Sequence, residues 1–366
     1  MNRSLVARRL VGAVPRPERG TACVRLIALG LALGVGLGLG GCAPTERVQV
    51  EVLRLGHGLD EAHPVHRAMA HMATRLDALS GGAMRLEIYP SEQLGDEREC
   101  LELLQLGSLG LTKVSASVLA GFAPLYRTLG LPYLFRDREH AFAVLDGPIG
   151  RRLLDASADQ RLLGLAFYDA GSRSFYTRDR AIEVPEDLEG LKIRTQESAV
   201  AMAMVRALGG APTPISWGEL YTALQQGVVD GAENNPPSFH LSGHYEVARV
   251  YSLDEHTRVP DVLLVSTVVW QRLDARQQAW LREAAVESAR VQRALWAEAE
   301  ETALEAVEAA GVEIVRPDLG PFAVRTASIL DGEAPDVAEL AAAIRAQGAP
   351  VAGSHAAPVA APENET

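Results

Sequence analysis

Two arginines stand where short apolar segments begin or end. Arg194 closes the run at residues 191–194, and Arg173 follows a glycine and precedes another short apolar segment. If both segments are strands, the two guanidinium groups lie near strand ends, where open α/β sheets bind ligands. A guanidinium presents a planar fork of donors that matches a carboxylate. The pair predicts a site for an anion, although Arg194 could instead pair with Glu197 and Arg173 could be exposed.

A third polar element follows at residues 228–235, where Asp-Gly interrupts an apolar run. It contains Asn234, whose neutral amide would orient a ligand without adding charge. Glu233, beside it, would brace an arginine or accept from a ligand hydroxyl. Trp217 would offer an apolar floor to the carbon face of a ligand, or else fill core.

Four further residues could complete the site from a second part of the chain. His57 follows the first apolar segment, Glu97 opens a helix pattern, and Asp261 belongs to a polar cluster at residues 254–261. Lys113 is notable because the chain has 33 arginines and only two lysines. A lysine inside a strand is therefore predicted to bind a second ligand oxygen group, with a lysine snorkelling at a strand end as the alternative.

A metal site and a catalytic site are less favoured. A zinc site is one hypothesis for the three histidines His57, His63 and His66. No cysteine accompanies them, however, and we interpret them as loop or surface histidines. The chain contains no Gly-x-Ser-x-Gly elbow, P-loop or His-Glu-x-x-His helix. We predict no catalytic residue and no cofactor. A glycosidase that uses two carboxylates stays open, because its acids need no fixed spacing.

The patterns around these residues predict an α/β protein. Strands are expected at residues 50–55, 84–88 and 110–114, with helices at 64–80 and 96–106 between them. This βαβαβ order favours a mostly parallel, doubly wound sheet. From Asp274 no Gly or Pro interrupts the chain until Gly311, which predicts one helix on the order of fifty ångströms long.

Several motifs together resemble the substrate-binding subunits of TRAP (tripartite ATP-independent periplasmic) transporters, over roughly residues 50–325. They lie at residues 93–98, 131–135, 188–194, 209–214 and 228–235. The resemblance implies a two-lobed periplasmic binding protein fold with a hinge and a long connecting helix. Lobe I is then expected at residues 50–170 with 260–299, and lobe II at 171–259 with 300–347. The composition of residues 348–366 predicts a disordered tail.

The resemblance also implies a function. Arg194 would form a bidentate salt bridge to a ligand carboxylate, Arg173 would be the second pocket arginine, and Asn234 would bind the same carboxylate. The ligand would be a small organic acid, with a hexuronate as first choice and a C4-dicarboxylate or keto acid as the alternative. The partners would be the membrane subunits of a TRAP transporter.

The amino terminus predicts export. Residues 1–41 carry six arginines and one glutamate, and end in sixteen uncharged residues before Cys42. This pattern indicates a lipoprotein signal peptide, a linker at residues 42–49, and periplasmic localisation through lipidated Cys42. The alternative is an ordinary signal peptide beside a coincidental cysteine. Loss of this segment, which has a net charge of +5, changes the net charge from −12 to −17 and makes nucleic acid an unsuitable partner.

Overall fold

The computed structural model describes residues 50–348. The predicted signal peptide, the linker at 42–49 and Cys42 lie outside this range, as does nearly all of the predicted tail. The described chain begins with the predicted alternation: β1 (Glu51–Gly56), α1 (Pro64–Ser80), β2 (Met84–Tyr89), α2 (Glu97–Leu106) and β3 (Leu111–Ser115). Local signals set these bounds. Gly81 ends α1 in a left-handed conformation, and Asp96 with Glu99 forms a capping box at α2.

The first sheet is mixed, which corrects the prediction of a mostly parallel sheet. It adds β4 (Leu162–Tyr168) and β10 (Asp261–Ser266) in the order β2-β1-β3-β10-β4. β1 is parallel to β2 and β3, but β10 is antiparallel to both β3 and β4. The reason is that β10 returns from the second sheet and enters between strands formed earlier in the chain.

The second sheet is also mixed. Its strands are β5 (Arg173–Thr177), β6 (Lys192–Thr195), β7 (Ala211–Pro214), β8 (Gly231–Asn234), β9 (Val250–Thr257) and β11 (Glu313–Val315). Their order in the sheet is β11-β9-β5-β8-β6-β7. β6 runs parallel to β7 and β8, whereas β5 is antiparallel to β8 and β9. The parallel pairing of β6 with β8 places Arg194 beside the predicted polar element at residues 228–235.

Helices cover both faces of each sheet. The remaining helices are α3 (Ala116–Leu119), α4 (Arg138–Leu145), α5 (Pro148–Asp155), α6 (Ala199–Ala207), α7 (Trp217–Gln225), α8 (Pro236–Leu241), α9 (Thr267–Trp270), α10 (Ala275–Ala309), α11 (Leu319–Thr326) and α12 (Pro335–Ala346). Side chains that alternate along a strand enter different cores: Val262 packs in one core and Leu263 in another. Phe175 and Tyr176 divide in the same way in the second sheet. We call each sheet with its covering helices a lobe.

The predicted long helix is α10, which has 35 residues and begins at its cap Asp274. At 1.5 Å per residue it is about 52 Å long. Trp296 packs in a core of the first lobe and Val307 in a core of the second. The helix therefore connects both lobes, as expected.

The last helix departs from the expected boundaries. Residues 300–347 were predicted to return to lobe II, but Val337, Leu340 and Ile344 of α12 pack in a core of the first lobe. These residues form one apolar stripe at helical spacing, and the stripe must be buried. Arg127, also in the first lobe, forms two hydrogen bonds of 2.6 Å with Glu333 just before this helix.

Candidate functional site

A cavity that is partly open to solvent lies between the two sheets. The empty space within it, counted out into the open solvent, is about 790 Å³. Both lobes line it, and the lining residues include Glu92, Glu97, Lys113, Arg173, Arg194, Trp217, Asn234 and Asp261. Seven of these eight were predicted from the sequence.

Arg194 is buried, and it forms no ion pair with another residue of the part of the chain that the structure describes. It lies in β6 with 3% of its surface exposed, and its Nε donates to the carbonyl of Ile215 at 2.8 Å. Its Nη1 is buried and has no hydrogen-bond partner among the described residues. Glu197 does not pair with it and instead lies 3.7 Å from Arg98. Burial lowers the pKa of Arg194, so the charged group is held at a cost that an anionic ligand would offset.

Arg173, by contrast, is already satisfied within the protein. Its Nε contacts the carboxylate of Glu233, its Nη2 donates to the Glu233 carbonyl at 2.7 Å, and its Nη1 donates to Asn234 Oδ1 at 2.8 Å. Strand pairing explains the cluster, because Ser174 of β5 lies opposite Asn234 of β8. Glu233 braces this arginine and does not line the cavity, whereas Arg173 and Asn234 do.

The Glu233 carboxylate is stabilised from a second side by His256. The Nδ1 of His256 lies 2.8 Å from Asp254 Oδ2, and its Nε2 lies 3.5 Å from Glu233 Oε2. Burial opposes the charge on His256, but Asp254 and Glu233 together raise its pKa to about 9. Burial likewise opposes the charge on Glu233, but Arg173 and His256 lower its pKa to about 2. Arg173 is thus held in a buried network of alternating charges.

Lys113 is also compensated. It lies in β3, 3% exposed, and its Nζ is 3.1 Å from Glu97 Oε1 and 3.1 Å from Asp261 Oδ2. The alternative of a lysine snorkelling at a strand end is wrong, since both carboxylates enclose its ammonium. Burial opposes the charge of Lys113, yet Asp261 and Glu97 raise its pKa. One cation and two acids therefore face the cavity together.

His57 is not among the residues that line the cavity, in contrast to its predicted role. Its Nε2 is 3.0 Å from His66 Nδ1, and its Nδ1 accepts from the amide of Leu59 at 3.1 Å. Burial lowers its pKa to about 2. His63 lines the cavity instead and reaches Ser238 Oγ of the second lobe at 3.3 Å. Within residues 50–348 no group of three or more His, Cys, Asp or Glu residues is arranged to hold a metal ion.

Trp217 lines the cavity as the first residue of α7, near Glu92, which sequence reasoning missed. Glu92 Oε1 of the first lobe accepts from the amide of Gly218 at 3.2 Å, at the start of α7 in the second lobe. Gln196 was also missed, and its Oε1 accepts from Ser115 Oγ at 3.2 Å, again between lobes. Gln196 follows Arg194 by two residues at a strand end, which is the signal that could have indicated it.

Two α/β lobes surround a polar cleft that contains a buried arginine without an ion pair to any of residues 50–348. This arrangement defines a binding protein for a small anionic solute. Within the described residues no helix is long and apolar enough to cross a membrane.

Comparisons with known proteins agree with this class. The model for the family "bacterial extracellular solute-binding protein, family 7" (DctP) matches residues 55–332. A TRAP periplasmic solute-binding protein from Xanthobacter autotrophicus Py2, solved with β-D-galacturonate, is 38% identical, with a TM-score of 0.78 and coverage of 80% of this chain and 99% of that one. One from Roseobacter denitrificans, solved with β-D-glucuronate, is 34% identical, with a TM-score of 0.79 and coverage of 81% and 99%.

A curated relative has another ligand in its name. The C4-dicarboxylate-binding periplasmic protein DctP of Rhodobacter capsulatus is 33% identical over 264 residues, which are 71% of this chain and 78% of that protein. The present chain belongs to the DctP family of extracellular solute-binding proteins. Members of this family are receptors for small organic acids that work with TRAP membrane components.

Proposed function

We propose that this protein captures a hexuronate, such as galacturonate or glucuronate, and delivers it to the membrane subunits of a TRAP transporter. The proposal rests above all on Arg194, which lines the cavity and whose buried Nη1 has no hydrogen-bond partner among the described residues. A ligand carboxylate would accept two parallel hydrogen bonds from this guanidinium. The uronates bound by the similar structures carry one such carboxylate.

The rest of the cavity would serve the sugar hydroxyls. Asn234 offers an amide, and Glu97 and Asp261 offer carboxylate oxygens that accept from O–H groups. Trp217 offers an aromatic face to the carbon side of the ring. The similarity to the Rhodobacter capsulatus dicarboxylate receptor supports a C4-dicarboxylate as the second candidate ligand. In either case the role is binding and transfer, without catalysis or a cofactor.

A thermal-shift screen tests the proposed ligand. A ligand that binds only the folded state adds about 2.7 kcal/mol of stability at a concentration 100-fold above its Kd. We expect glucuronate or galacturonate to raise the Tm by several degrees, and neutral galactose at the same concentration to leave it unchanged. A shift with succinate and none with either uronate would support the dicarboxylate instead. No shift with any organic acid would refute the proposed function.

We also propose that the mature protein is held at a membrane surface in the periplasm through lipidated Cys42. The support is the uncharged run and the small residues Gly40 and Gly41 before this cysteine. Fractionation of cells that express Cys42→Ala tests it, with Cys100→Ala as the matched control. The first variant should leave the membrane fraction and the second should stay. Equal retention of Cys42→Ala and the native protein would refute the anchor.

A further inference from the structure

Two groups of buried charged side chains in the cavity lining are unbalanced in charge. One group has an excess of positive charge, and the other has more acidic than basic groups. Arg194 is a buried cation with no ion pair among the described residues. Lys113, Glu97 and Asp261, which we call the lysine triad, combine one cation with two acids at 3.1 Å each. The cavity therefore offers positive charge at Arg194 and an excess of acceptor oxygens at the lysine triad.

The lysine triad is fixed by the fold. Lys113 and Asp261 stand on the adjacent strands β3 and β10, where Asp261 pairs with Ser115. The amide of Ser115 donates to both carboxylate oxygens of Glu97 at 3.2 Å. The side chains of Lys113, Glu97 and Asp261 are only 4%, 17% and 10% exposed. The two acids therefore have little freedom to turn away from an arriving ligand.

The protonation state of the lysine triad changes its net charge but does not free the ammonium of Lys113. Burial raises the pKa of Asp261, although Lys113 opposes this shift. With both acids ionised the triad carries a net negative charge. With one acid protonated it is neutral and gains an O–H donor. In neither state does Lys113 have positive charge to spare for a second ligand carboxylate.

We propose that the lysine triad determines specificity by accepting ligand hydroxyl groups and rejecting a second carboxylate. The inference rests on the proposed function and narrows its ligand class to polyhydroxylated monocarboxylates. Hydroxyl groups can donate to Glu97 and Asp261, whereas a second carboxylate would face the net negative charge of the triad when both acids are ionised. Repulsion between like charges is a common means of excluding a competing ligand.

The test compares galacturonate with galactarate, which carries a carboxylate at each end of the same carbon chain. Isothermal titration calorimetry would give the ratio of the two Kd values for the native protein, Glu97→Gln and Asp261→Asn. Because the same two ligands are compared in every protein, the difference between ring and open chain cancels. Glu102→Gln is the control, since it removes the same charge from an exposed position on α2.

We expect the native protein to bind galacturonate at least ~100-fold more tightly, and each triad variant to shift this ratio towards galactarate by at least ~10-fold. Glu102→Gln should change it less than twofold. Melting temperatures establish that each variant is folded. If only one of the two triad variants folds, that variant alone is sufficient for the test. A native ratio near one, or uronate binding with unchanged ratios in folded variants, would overturn this inference alone. Failure of the native protein to bind any uronate would overturn it together with the proposed function.

Discussion

Replacement of Arg194 by lysine keeps the charge in the cleft but removes the planar fork. The Nε of Arg194 is bound to the carbonyl of Ile215 at 2.8 Å, which leaves both Nη groups for a ligand. Lysine would lose the bond to Ile215 and could offer a single ammonium in place of two parallel donors. Hydrogen bonds to charged groups contribute about 1.5–3 kcal/mol each. Loss of one therefore predicts a cost of about 2 kcal/mol, or ~30-fold in affinity.

Titration calorimetry with the best acid from the ligand screen measures this loss. Arg206→Lys is the matched control, because Arg206 is an exposed arginine on α6 in the same lobe. It should bind within about twofold of the native protein. Arg194→Ala should bind more weakly than Arg194→Lys, since it also removes the charge.

The same variants make a prediction for the ligand-free protein. Burial lowers the pKa of Arg194, so its charge is disfavoured in the folded state without ligand. Arg194→Ala relieves this cost, and the relief offsets the loss of one hydrogen bond from the charged guanidinium to Ile215, which is worth about 2 kcal/mol. The ligand-free Tm should therefore change little, unlike the loss of 2–5 kcal/mol typical of a truncated core residue. Native affinity in a folded Arg194→Lys would refute the carboxylate clamp, and Arg173 would become the candidate.

Three further predictions concern closure and pH. In Gly218→Ala the new Cβ would lie 2.3 Å from Glu92 Oε2, so the Glu92 side chain must move away from the start of α7. The affinity for the ligand should fall about fivefold, which corresponds to one lost hydrogen bond. Gly332→Ala is the control, because open space surrounds Gly332 and the affinity of this variant should not change. Small-angle scattering should give a smaller radius of gyration with saturating ligand, because the cleft lies between two lobes; an unchanged radius would contradict closure. Burial lowers the pKa of His244 to about 3, so the stability that neutral His244 contributes is present above its unfolded pKa near 6.5 and is lost as the pH falls. The pKa of His256 is raised to about 9. The stability that charged His256 contributes is therefore full below pH 6.5 and is lost as the pH rises through 9. Between about pH 7.5 and 5.5 each effect is on the order of 1 kcal/mol. The free energy of unfolding, measured with denaturant, should therefore show a smaller loss on acidification in His244→Gln and a larger loss in His256→Gln. Shifts of the same sign in the two variants would contradict these assignments.

The elements that sequence predicted well are those set by local signals. Helix α1 begins at Pro64 and ends before Gly81, and α10 begins at its cap Asp274, because capping and helix-breaking residues act on their own neighbours. The antiparallel insertion of β10 was not predictable in this way. Its apolar residues would suit either direction, and only the return of the chain from the second sheet decides it.

The candidate site shows the same division. Residue type and position near strand ends selected Arg194 and Arg173 for the cleft, and the rarity of lysine in this chain selected Lys113. Which of them lacks a partner depends on strand pairing, which brings Glu233 and Asn234 beside Arg173. The prediction for His57 failed for a similar reason, since its ring contacts His66 nine residues later and His57 does not line the cavity.

The net charge of the whole chain is negative, whereas the cleft is expected to bind an anion. The pairing of the buried cations with acidic side chains explains this difference. The full chain has a net charge of −12, which disfavours an anionic ligand at long range. Three buried cations line the described cavity, but Glu233 compensates Arg173 and two carboxylates compensate Lys113. Arg194 alone among these three keeps its charge available. The sign of the ligand is therefore set by which cation the strand pairing leaves without a partner.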